Sequence, residues 1–304
     1  MSRPIPCGLA SREGKPDLSD FASTLDEVAD LALDHIELPA YAYDLVIGGR
    51  VLPARLRDLR EACRGRTHGF TVHGPLSINF MGPAAHLPSF DAAARAFVEI
   101  SAAIGAHHLV VHAGMVQASE LGQIEDAYAR QRAHLAKLGD VAGDHGVTVC
   151  VENLFDWAPY VATPGLVRLA REIEAIGHEA IRATFDFSHG LIHATQHGYD
   201  FLAEAEALAP YSNHLHLHDS FGLPDLPWVY TVAEADATGM GDLHLPVGWG
   251  GVPWDALGAR CRFPQRVIAI HELAFRFFRE REEALAGARR FAAGLKTAER
   301  ALGA

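Results

Sequence analysis

The sequence is poor in the residues that several common kinds of site require. Its four cysteines are scattered without CxxC spacing, which argues against a zinc ribbon, a redox dithiol or a disulfide scaffold. The only lysines are Lys15, Lys137 and Lys296, and none falls at the C-terminal end of a predicted strand. Schiff-base and pyridoxal chemistry are therefore poorly supported.

Long apolar runs and positive charge are scarce too. No run approaches the roughly 18 residues that a membrane span needs, and the N-terminus has no long apolar stretch, so we expect a cytoplasmic protein without membrane contact. The net charge of −12 argues against a general polyanion-binding surface. A local arginine patch could still hold a nucleic acid, so that partner is disfavoured but stays open, as does a homo-oligomer.

What the sequence does contain is a regular alternation of short apolar, β-branched runs with longer, alanine-rich segments of helical periodicity. The predicted strands are Ile5 to Ser11, His35 to Pro39, Phe70 to Pro75, His107 to Gly114, Val147 to Leu154, Arg182 to Gly190, Asn213 to Ser220 and Arg266 to Leu273. Helices are predicted at roughly 18–33, 53–64, 90–104, 118–145, 164–178 and 199–209 and after Phe275.

Eight such units in 304 residues predict the α/β class, as a (β/α)8 TIM barrel in a single domain over residues 1–304. A doubly wound sheet would also alternate, but the first strand is not followed by a GxGxxG fingerprint. One irregular segment, 221–251, is rich in Pro, Gly and Trp and lies between strands seven and eight. A loop of that length in a compact domain predicts a functional role.

Histidine is abundant, with 18 residues, and many of them fall where predicted strands end. In a barrel the C-terminal strand ends converge on one face, which is where barrel enzymes place their active sites. The metal-competent side chains at the ends of strands three to eight and in the long loop are His73, His112, Glu152, Asp186, His189, His216, Glu272, Asp242 and His244.

Taken alone, a histidine or glutamate at a strand end is more often a hydrogen-bonded or solvated residue than a ligand. Six consecutive strand ends carrying such residues are not explained in that way. Buried carboxylates without partners are costly, so a cluster of Glu152, Asp186 and Glu272 implies a cation between them.

The motifs HGP, VHAG, VEN, DFSH, HLHD, GDLH and IHEL, in this order, resemble the xylose-isomerase-like barrels. That group includes sugar isomerases, sugar-phosphate epimerases and endonuclease IV, and the resemblance covers nearly the whole chain. It implies that one divalent ion is bound by four residues, which are Glu152, Asp186, His216 and Glu272.

The endonuclease IV pattern implies two further ions. One would be held by His73 and His112 with Glu152 bridging, and the other by three residues, His189, Asp242 and His244. Mixed imidazole and carboxylate ligands favour zinc, so up to three zinc ions are expected. The chain departs from that pattern in having Gly248-Trp-Gly250 in place of a Gly-Glu-Gly turn and no Lys/Arg cluster at strand ends, which favours a small substrate over duplex DNA.

The favoured hypothesis is therefore a trinuclear zinc hydrolase of a phosphate ester or diester, in which Glu152 holds a hydroxide bridging two ions. The alternative is a sugar or sugar-phosphate isomerase or epimerase with one central ion, zinc, manganese or another divalent metal. Glu152 and Glu272 would then be the catalytic pair and exchange a proton with the substrate. A non-catalytic metal-binding barrel is a third class, and we expect it least.

The stretch Asn213 to Ser220 reads NHLHLHDS, and its three histidines share one face of a strand. Alternate residues lie about 7 Å apart, too far for all three to bind one ion. We expect His214 to be a hydrogen-bonded interior residue, His218 to contact substrate or the ligands, and Asp219 to orient an imidazole. In the long loop, Trp249 is expected beside the substrate, and Trp228 and Trp254 either line the pocket or pack.

Overall fold

The computed structural model describes residues 5–225, 229 and 231–297, so that Trp228 lies outside the described residues. Eight parallel strands form a closed barrel in which each strand pairs with its neighbours in the sequence and the first closes on the last. The strands are β1 (Cys7–Ala10), β2 (His35–Pro39), β3 (Gly69–His73), β4 (His108–His112), β5 (Thr148–Glu152), β6 (Ile181–Asp186), β7 (Ser212–Leu217) and β8 (Ile268–His271). The predicted (β/α)8 TIM barrel is confirmed.

Helices surround the barrel. They are α1 (Phe21–Asp26), α2 (Pro53–Cys63), α3 (Leu87–Ala103), α4 (Ile124–Asp144), α5 (Leu166–Ile176), α6 (Phe187–His197), α7 (Phe201–Leu208), α8 (Val232–Thr238), α9 (Trp254–Arg260) and α10 (Arg281–Gly294). Short strand pairs outside the barrel join Val46–Ile47 to Arg50–Val51, Val116–Gln117 to Tyr160–Ala162, and Arg262–Phe263 to Lys296–Thr297. Short 3-10 helices of one or two turns are Ala29–Leu31, Ala40–Ala42, Ala84–His86, Ala118–Gln123, Ala209–Tyr211 and Phe275–Glu280.

Local sequence explains where these helices begin, end and pack. In α5 the residues Leu166, Leu169 and Ile173 recur every three or four positions and are buried, so that one face of the helix covers the barrel. The helix ends where Gly177 takes a left-handed conformation. At the start of α7, the carboxylate of Asp200 accepts hydrogen bonds from two backbone N–H groups of the first turn.

The sixth strand ends earlier than predicted. We expected a strand from Arg182 to Gly190, but β6 stops at Asp186 and α6 follows at once. The reason is the side chain of Asp186, which accepts a hydrogen bond from the backbone N–H of His189 at 2.8 Å and caps the helix. Ser188, expected on the strand face that carries Asp186, therefore lies on a helix, where its hydroxyl donates to Ser220 at 2.7 Å.

The long segment 221–251 is folded back onto the end of β7. Its residues 226–228 and 230 lie outside the described part, while α8 lies within it and α9 directly after it. The backbones of Asp219 and Leu245 exchange two hydrogen bonds of 3.0 Å. The carboxylate of Asp219 accepts from the backbone N–H groups of Gly248 and Val252 and from the indole of Trp254.

The expectation that Asp219 orients an imidazole is therefore wrong. All the hydrogen bonds that its carboxylate makes to described residues go to backbone N–H groups and to one indole, because β7 ends just before it and the returning loop wraps around it. The role of Asp219 is to hold the loop against the strand. Trp254 packs against Phe187 and Phe291 and belongs to the wall of the barrel rather than to its mouth.

None of the helices in the described residues is long and apolar enough to cross a lipid bilayer.

The close pairing of β1 with β2 predicts a sensitive position at Gly8. A Cβ atom there would overlap the backbone carbonyl of His35, which cannot move without breaking the pairing of the two strands. We expect Gly8→Ala to lower the free energy of unfolding by about 1–3 kcal/mol, the range for overpacking. Urea unfolding followed by circular dichroism measures it.

Gly143→Ala is the matched control for Gly8→Ala. The added methyl group would lie on α4 with its nearest neighbours at 3.9 Å, an ordinary contact distance. The control should be neutral or up to about 1 kcal/mol more stable, because alanine is the better helix former. Equal stability of the two variants would contradict the tight contact between Gly8 and His35.

Candidate active site

The predicted ligands do meet at the C-terminal end of the barrel. The parallel register places Asp186 beside His216 and His112 beside Glu152, so that neighbouring strands present donors side by side. The donor atoms form overlapping groups, and the atoms of each group lie within 4.8 Å of one another. Three of these groups are named below, and a fourth, made of Glu37, His73, His216 and Glu272, shares residues with the first two. The central group is Glu152, Asp186, His216 and Glu272; the second group is His73, His112 and Glu152; the third group is His189, His218, Asp242 and His244.

The central group is built around one imidazole. Nδ1 of His216 lies 3.1 Å from Oε1 of Glu152, 3.5 Å from Oε2 of Glu272 and 3.8 Å from Oδ2 of Asp186. These side chains are buried, and only that of Glu272 retains some exposure, 12%, where it faces the cavity. Three carboxylates from β5, β6 and the residue after β8 therefore converge on one ring nitrogen.

A further carboxylate, Glu37 of β2, completes this arrangement, and the sequence analysis missed it. Its Oε1 lies 3.0 Å from Nε2 of His216, its Oε2 accepts from Thr71 at 2.8 Å, and Oε2 lies 2.9 Å from Nε2 of His214. Because a carboxylate accepts, Nε2 of His216 donates, which leaves the Nδ1 lone pair for the centre of the group. The available signal was a lone glutamate inside the apolar strand HIELP.

His214 is the interior residue that we expected. It is fully buried, and its ring lies between Glu37 and His108, with the two Nδ1 atoms of the histidines 3.1 Å apart. It belongs to the layer below the central group and not to any of the three groups of donors.

The second group contains buried polar atoms without hydrogen-bond partners. Nδ1 of His73 donates to the carbonyl of Gly74, so its Nε2 is directed at Oε2 of Glu152, 3.4 Å away. Nε2 of His112 lies 3.4 Å from the same oxygen. Among the described residues, neither Oε2 of Glu152 nor Nδ1 of His112 has a hydrogen-bond partner, although both atoms are buried. A buried carboxylate oxygen without a partner is costly unless something binds it, and Nε2 of both His73 and His112 faces that oxygen.

The third group combines α6, the end of β7 and the long loop. Oδ2 of Asp242 lies 3.1 Å from Nε2 of His189 and 2.8 Å from Nε2 of His244. His244 has a positive φ of 48°, a strained conformation for a non-glycine residue and one that often marks a functional site.

His218 lies deeper than expected. It is fully buried, stacks on His244 with ring centroids 3.9 Å apart, and its Nε2 lies 2.7 Å from Oδ2 of Asp186. The contact to Asp186 is one that we expected, between His218 and a predicted ligand; the unexpected part is that His218 also lies among the donors of the third group.

Neighbouring carboxylates and imidazoles in these groups shift each other's pKa. Burial by itself would raise the pKa of Glu152, but His216 and His112 beside it outweigh that effect and hold the pKa well below its usual range. Burial lowers the pKa of His73, yet Glu152 and Glu272 more than compensate and raise it to about 9. Burial dominates at His112, whose pKa falls to about 3.

These residues fit divalent cations. Carboxylates and imidazoles are the ligands that zinc and similar ions take, with the metal displacing the proton of a ring such as His73, and a cation would satisfy the orphaned Oε2 of Glu152.

Two adjoining cavities open above the groups. One of about 470 Å³ is lined by residues that include Arg12, Glu13, Tyr41 and Glu272, and the other, of about 530 Å³, also reaches Trp157. Both volumes are in the range of small-molecule sites. Trp249 is not part of either lining: it is 43% exposed and its indole donates to Glu283 at 3.2 Å. The structure therefore does not support the expectation that Trp249 lies beside the substrate, because the loop turns its ring outward.

Fold and site together define a (β/α)8 barrel with a histidine and carboxylate centre at the C-terminal ends of its strands. The sequence matches the family model described as xylose isomerase-like TIM barrel over residues 25–273. The chain belongs to this family.

Solved structures with the same fold include a D-tagatose 3-epimerase-like protein, with 15% identity, a TM-score of 0.67 and coverage of 95% of this chain and 98% of that one. D-psicose 3-epimerase from Clostridium cellulolyticum H10, solved with D-tagatose, has 14% identity and a TM-score of 0.66, with 95% and 99% coverage. The IOLI protein with a bound zinc atom has 14% identity and a TM-score of 0.66, with 94% and 96% coverage. At these identities the likeness shows the fold alone. No curated protein sequence matches the chain.

The contact between Glu37 and His216 predicts a loss of metal affinity in Glu37→Gln. The amide cannot offer the charge that holds the Nε2 proton, so Nδ1 becomes a poorer ligand. We expect the affinity of the central group for a divalent ion to fall by about 10- to 100-fold, as for other residues that orient a metal-bound histidine. Competition with a chromophoric chelator measures it.

Glu172→Gln is the matched control, because Glu172 is also a buried carboxylate and pairs with Arg132 and Arg168 away from the site. Its metal affinity should equal that of the unmodified protein. An unchanged affinity in Glu37→Gln would show that Glu37 does not orient His216.

Proposed function

We propose that this protein is a metal-dependent isomerase or epimerase of small sugars. One observation carries the proposal: two glutamates, Glu152 and Glu272, approach the same imidazole of His216 from different strands, at 3.1 and 3.5 Å, beneath an open cavity. Family membership supports it, and so do solved structures with this fold, among them a D-tagatose 3-epimerase-like protein, D-psicose 3-epimerase and L-ribulose 3-epimerase.

The cavity walls favour a neutral, polyhydroxylated substrate over a phosphorylated one. Of the described arginines and lysines, only Arg12 lines either cavity, and its guanidinium is already bound to Glu27 at 2.7 to 3.1 Å. A phosphate group would therefore lack the free cationic fork that usually recognises it. Aromatic rings of Tyr41 and Trp157 offer apolar surface to the C–H face of a sugar. The same shortage of cations disfavours a nucleic acid.

A proton-transfer pair accounts for the chemistry. One of the two carboxylates accepts the proton from the carbon next to the substrate carbonyl, and the other returns a proton to that carbon from the opposite face, so that one proton leaves and one arrives. Glu152 suits a base because its low pKa keeps it ionised at neutral pH. Glu272 faces both cavities, where it can reach the substrate.

A divalent ion held by Glu152, Asp186, His216 and Glu272 would polarise the carbonyl and hydroxyl oxygens of the substrate and make that carbon more acidic. The chain prepares the site for it in two ways. Glu37 fixes the tautomer of His216, and the end of β6 holds Asp186 in place through the hydrogen bond between its backbone N–H and Asn153. His73 and His189 would bind substrate oxygens in this function.

One observation favours a second candidate, the trinuclear hydrolase of phosphate esters. The second and third groups bring together the two further ligand sets that the endonuclease IV pattern implies, and His218 lies within the third set. In that function Glu152 would lie between two ions, since its Oε2 faces His73 and His112 while its Oε1 faces His216.

Removing either carboxylate tests the proton-transfer pair. We expect Glu152→Gln and Glu272→Gln each to lower kcat for ketohexose epimerisation by about 10²- to 10⁴-fold, the usual contribution of a general base. Chromatography of the sugars measures turnover, and mass spectrometry follows the incorporation of solvent deuterium at the epimerised carbon.

The surface variant Glu61→Gln changes the same group at an exposed position and should retain full activity. Turnover and deuterium exchange at the normal rate in both site variants would rule out the pair.

The choice of substrate separates the two candidates. We expect free ketohexoses to be converted with a kcat/KM at least about tenfold above that of their phosphate esters, because Arg12, the one described arginine or lysine in the cavity linings, is already bound to Glu27. A chromogenic phosphodiester should release no product. Phosphodiester hydrolysis that is lost in His112→Ala, together with no turnover of any free or phosphorylated sugar, would instead establish the hydrolase.

A further inference from the structure

A further cluster of potential ligands lies outside the groups of the active site. It consists of Asp156, in the loop after β5, and of His193 and His197, on α6, and we call it the α6 cluster. Its three donor atoms lie within 4.8 Å of one another, with Oδ2 of Asp156 3.0 Å from Nε2 of His197. The two imidazole rings have their centroids 4.4 Å apart.

Helical spacing explains why the two histidines meet. Residues four apart lie on the same face of a helix, one turn above the other, so His193 and His197 are neighbours. The same face carries His189 one turn earlier, where it faces Asp242 in the third group. Helix α6 thus presents one histidine to the active site and two to the α6 cluster.

His193 is the residue that points to a ligand. It is only 4% exposed, and among the described residues its Nε2 has no hydrogen-bond partner. A neutral imidazole carries a lone pair on one of its ring nitrogens, and that lone pair is what a metal ion binds. Burial also lowers the pKa of His193 to about 4, so the ring is neutral at pH 7.

The loop holds Asp156 in a fixed position. Its Oδ1 accepts from the backbone N–H of Thr163 at 2.9 Å and from the Thr163 hydroxyl at 3.1 Å, so that Oδ2 is turned toward His197. The side-chain amide of Gln196 binds the Asp156 backbone twice, at 3.0 and 2.7 Å. The carboxylate is therefore ordered before any ion binds, which lowers the entropic cost of binding.

We propose that Asp156, His193 and His197 bind a divalent transition-metal ion of the zinc class, separate from the ions of the active site. Two imidazole nitrogens and one carboxylate oxygen are three of the four ligands of a tetrahedral zinc ion, and water can supply the fourth because the side chain of His197 is 33% exposed. The ion would satisfy Nε2 of His193. It would also tie α6 to the loop that carries Trp157 into the wall of the 530 Å³ cavity.

Zinc titration of the full chain, stripped of metal, tests the α6 cluster. We expect His197→Ala to bind one zinc ion fewer per chain than the unmodified protein in equilibrium dialysis with elemental analysis. His197 is partly exposed, so this variant is expected to fold. Asp156→Asn, which can keep the contacts of Oδ1 while removing the charge, should weaken zinc binding at this cluster by at least about tenfold.

His178→Ala is the matched control, because His178 is also partly exposed and pairs with an aspartate, Asp140, at 3.3 Å. Among the described residues, His178 belongs to no group of three potential ligands, so His178→Ala should not change the zinc count. The readout is independent of turnover, so failure of the sugar assay leaves this test intact.

A second measurement follows the loop itself. Zinc should slow amide hydrogen exchange over residues 156–163 in the unmodified protein and in Glu152→Gln, but not in His197→Ala. Equal zinc counts in the unmodified protein and His197→Ala, with no zinc-dependent slowing in this loop, would overturn the proposal.

Discussion

The site depends on the packing of buried carboxylates around the imidazole of His216. Glu37 and Glu152, each 1% exposed, approach its two nitrogens at 3.0 and 3.1 Å, and Asp186 lies fully buried beside them. An isolated carboxylate in such a place would be costly or would take up a proton. Here each charge is compensated by histidine rings and hydrogen-bond donors, and the unsatisfied oxygen of Glu152 that remains has the surroundings of a metal ligand.

The residues that balance these buried charges lie below and above the imidazole of His216. Below the central imidazole, His214 contacts Glu37 and His108. Above it, the returning loop brings Asp242 and His244 to His189, and the loop keeps this position because Asp219 binds its backbone. Asp219 contacts no ligand, yet the third group depends on it. Helix α6 joins these layers to the α6 cluster, since its N-terminal turn is capped by Asp186 and its C-terminal half carries His193 and His197.

Much of this could be predicted from residue patterns. The alternation of apolar runs and helical segments predicted eight strands, and each overlaps an observed strand of the barrel. Residues at strand ends, such as His73, Glu152 and Asp186, were predicted to meet because parallel strands end on one face. The prediction failed where local pattern was ambiguous. FDFSHG is apolar enough to continue a strand, and only the capping bond from His189 to Asp186 turns it into the start of α6.

What the sequence by itself determined is the barrel and the identity of the residues at its mouth. The spacing of apolar residues and the place of a residue at the end of a strand both depend on its neighbours along the chain. What only the tertiary structure decided is the partner of each side chain. Glu37 and His216 are 179 residues apart in the sequence, and nothing local to either indicates their contact. The same holds for Asp219, which binds the loop and not an imidazole, and for Trp249, which faces outward. These contacts depend on how a closed barrel brings distant segments together, and a hydrogen bond is decided by position to within a few tenths of an ångström.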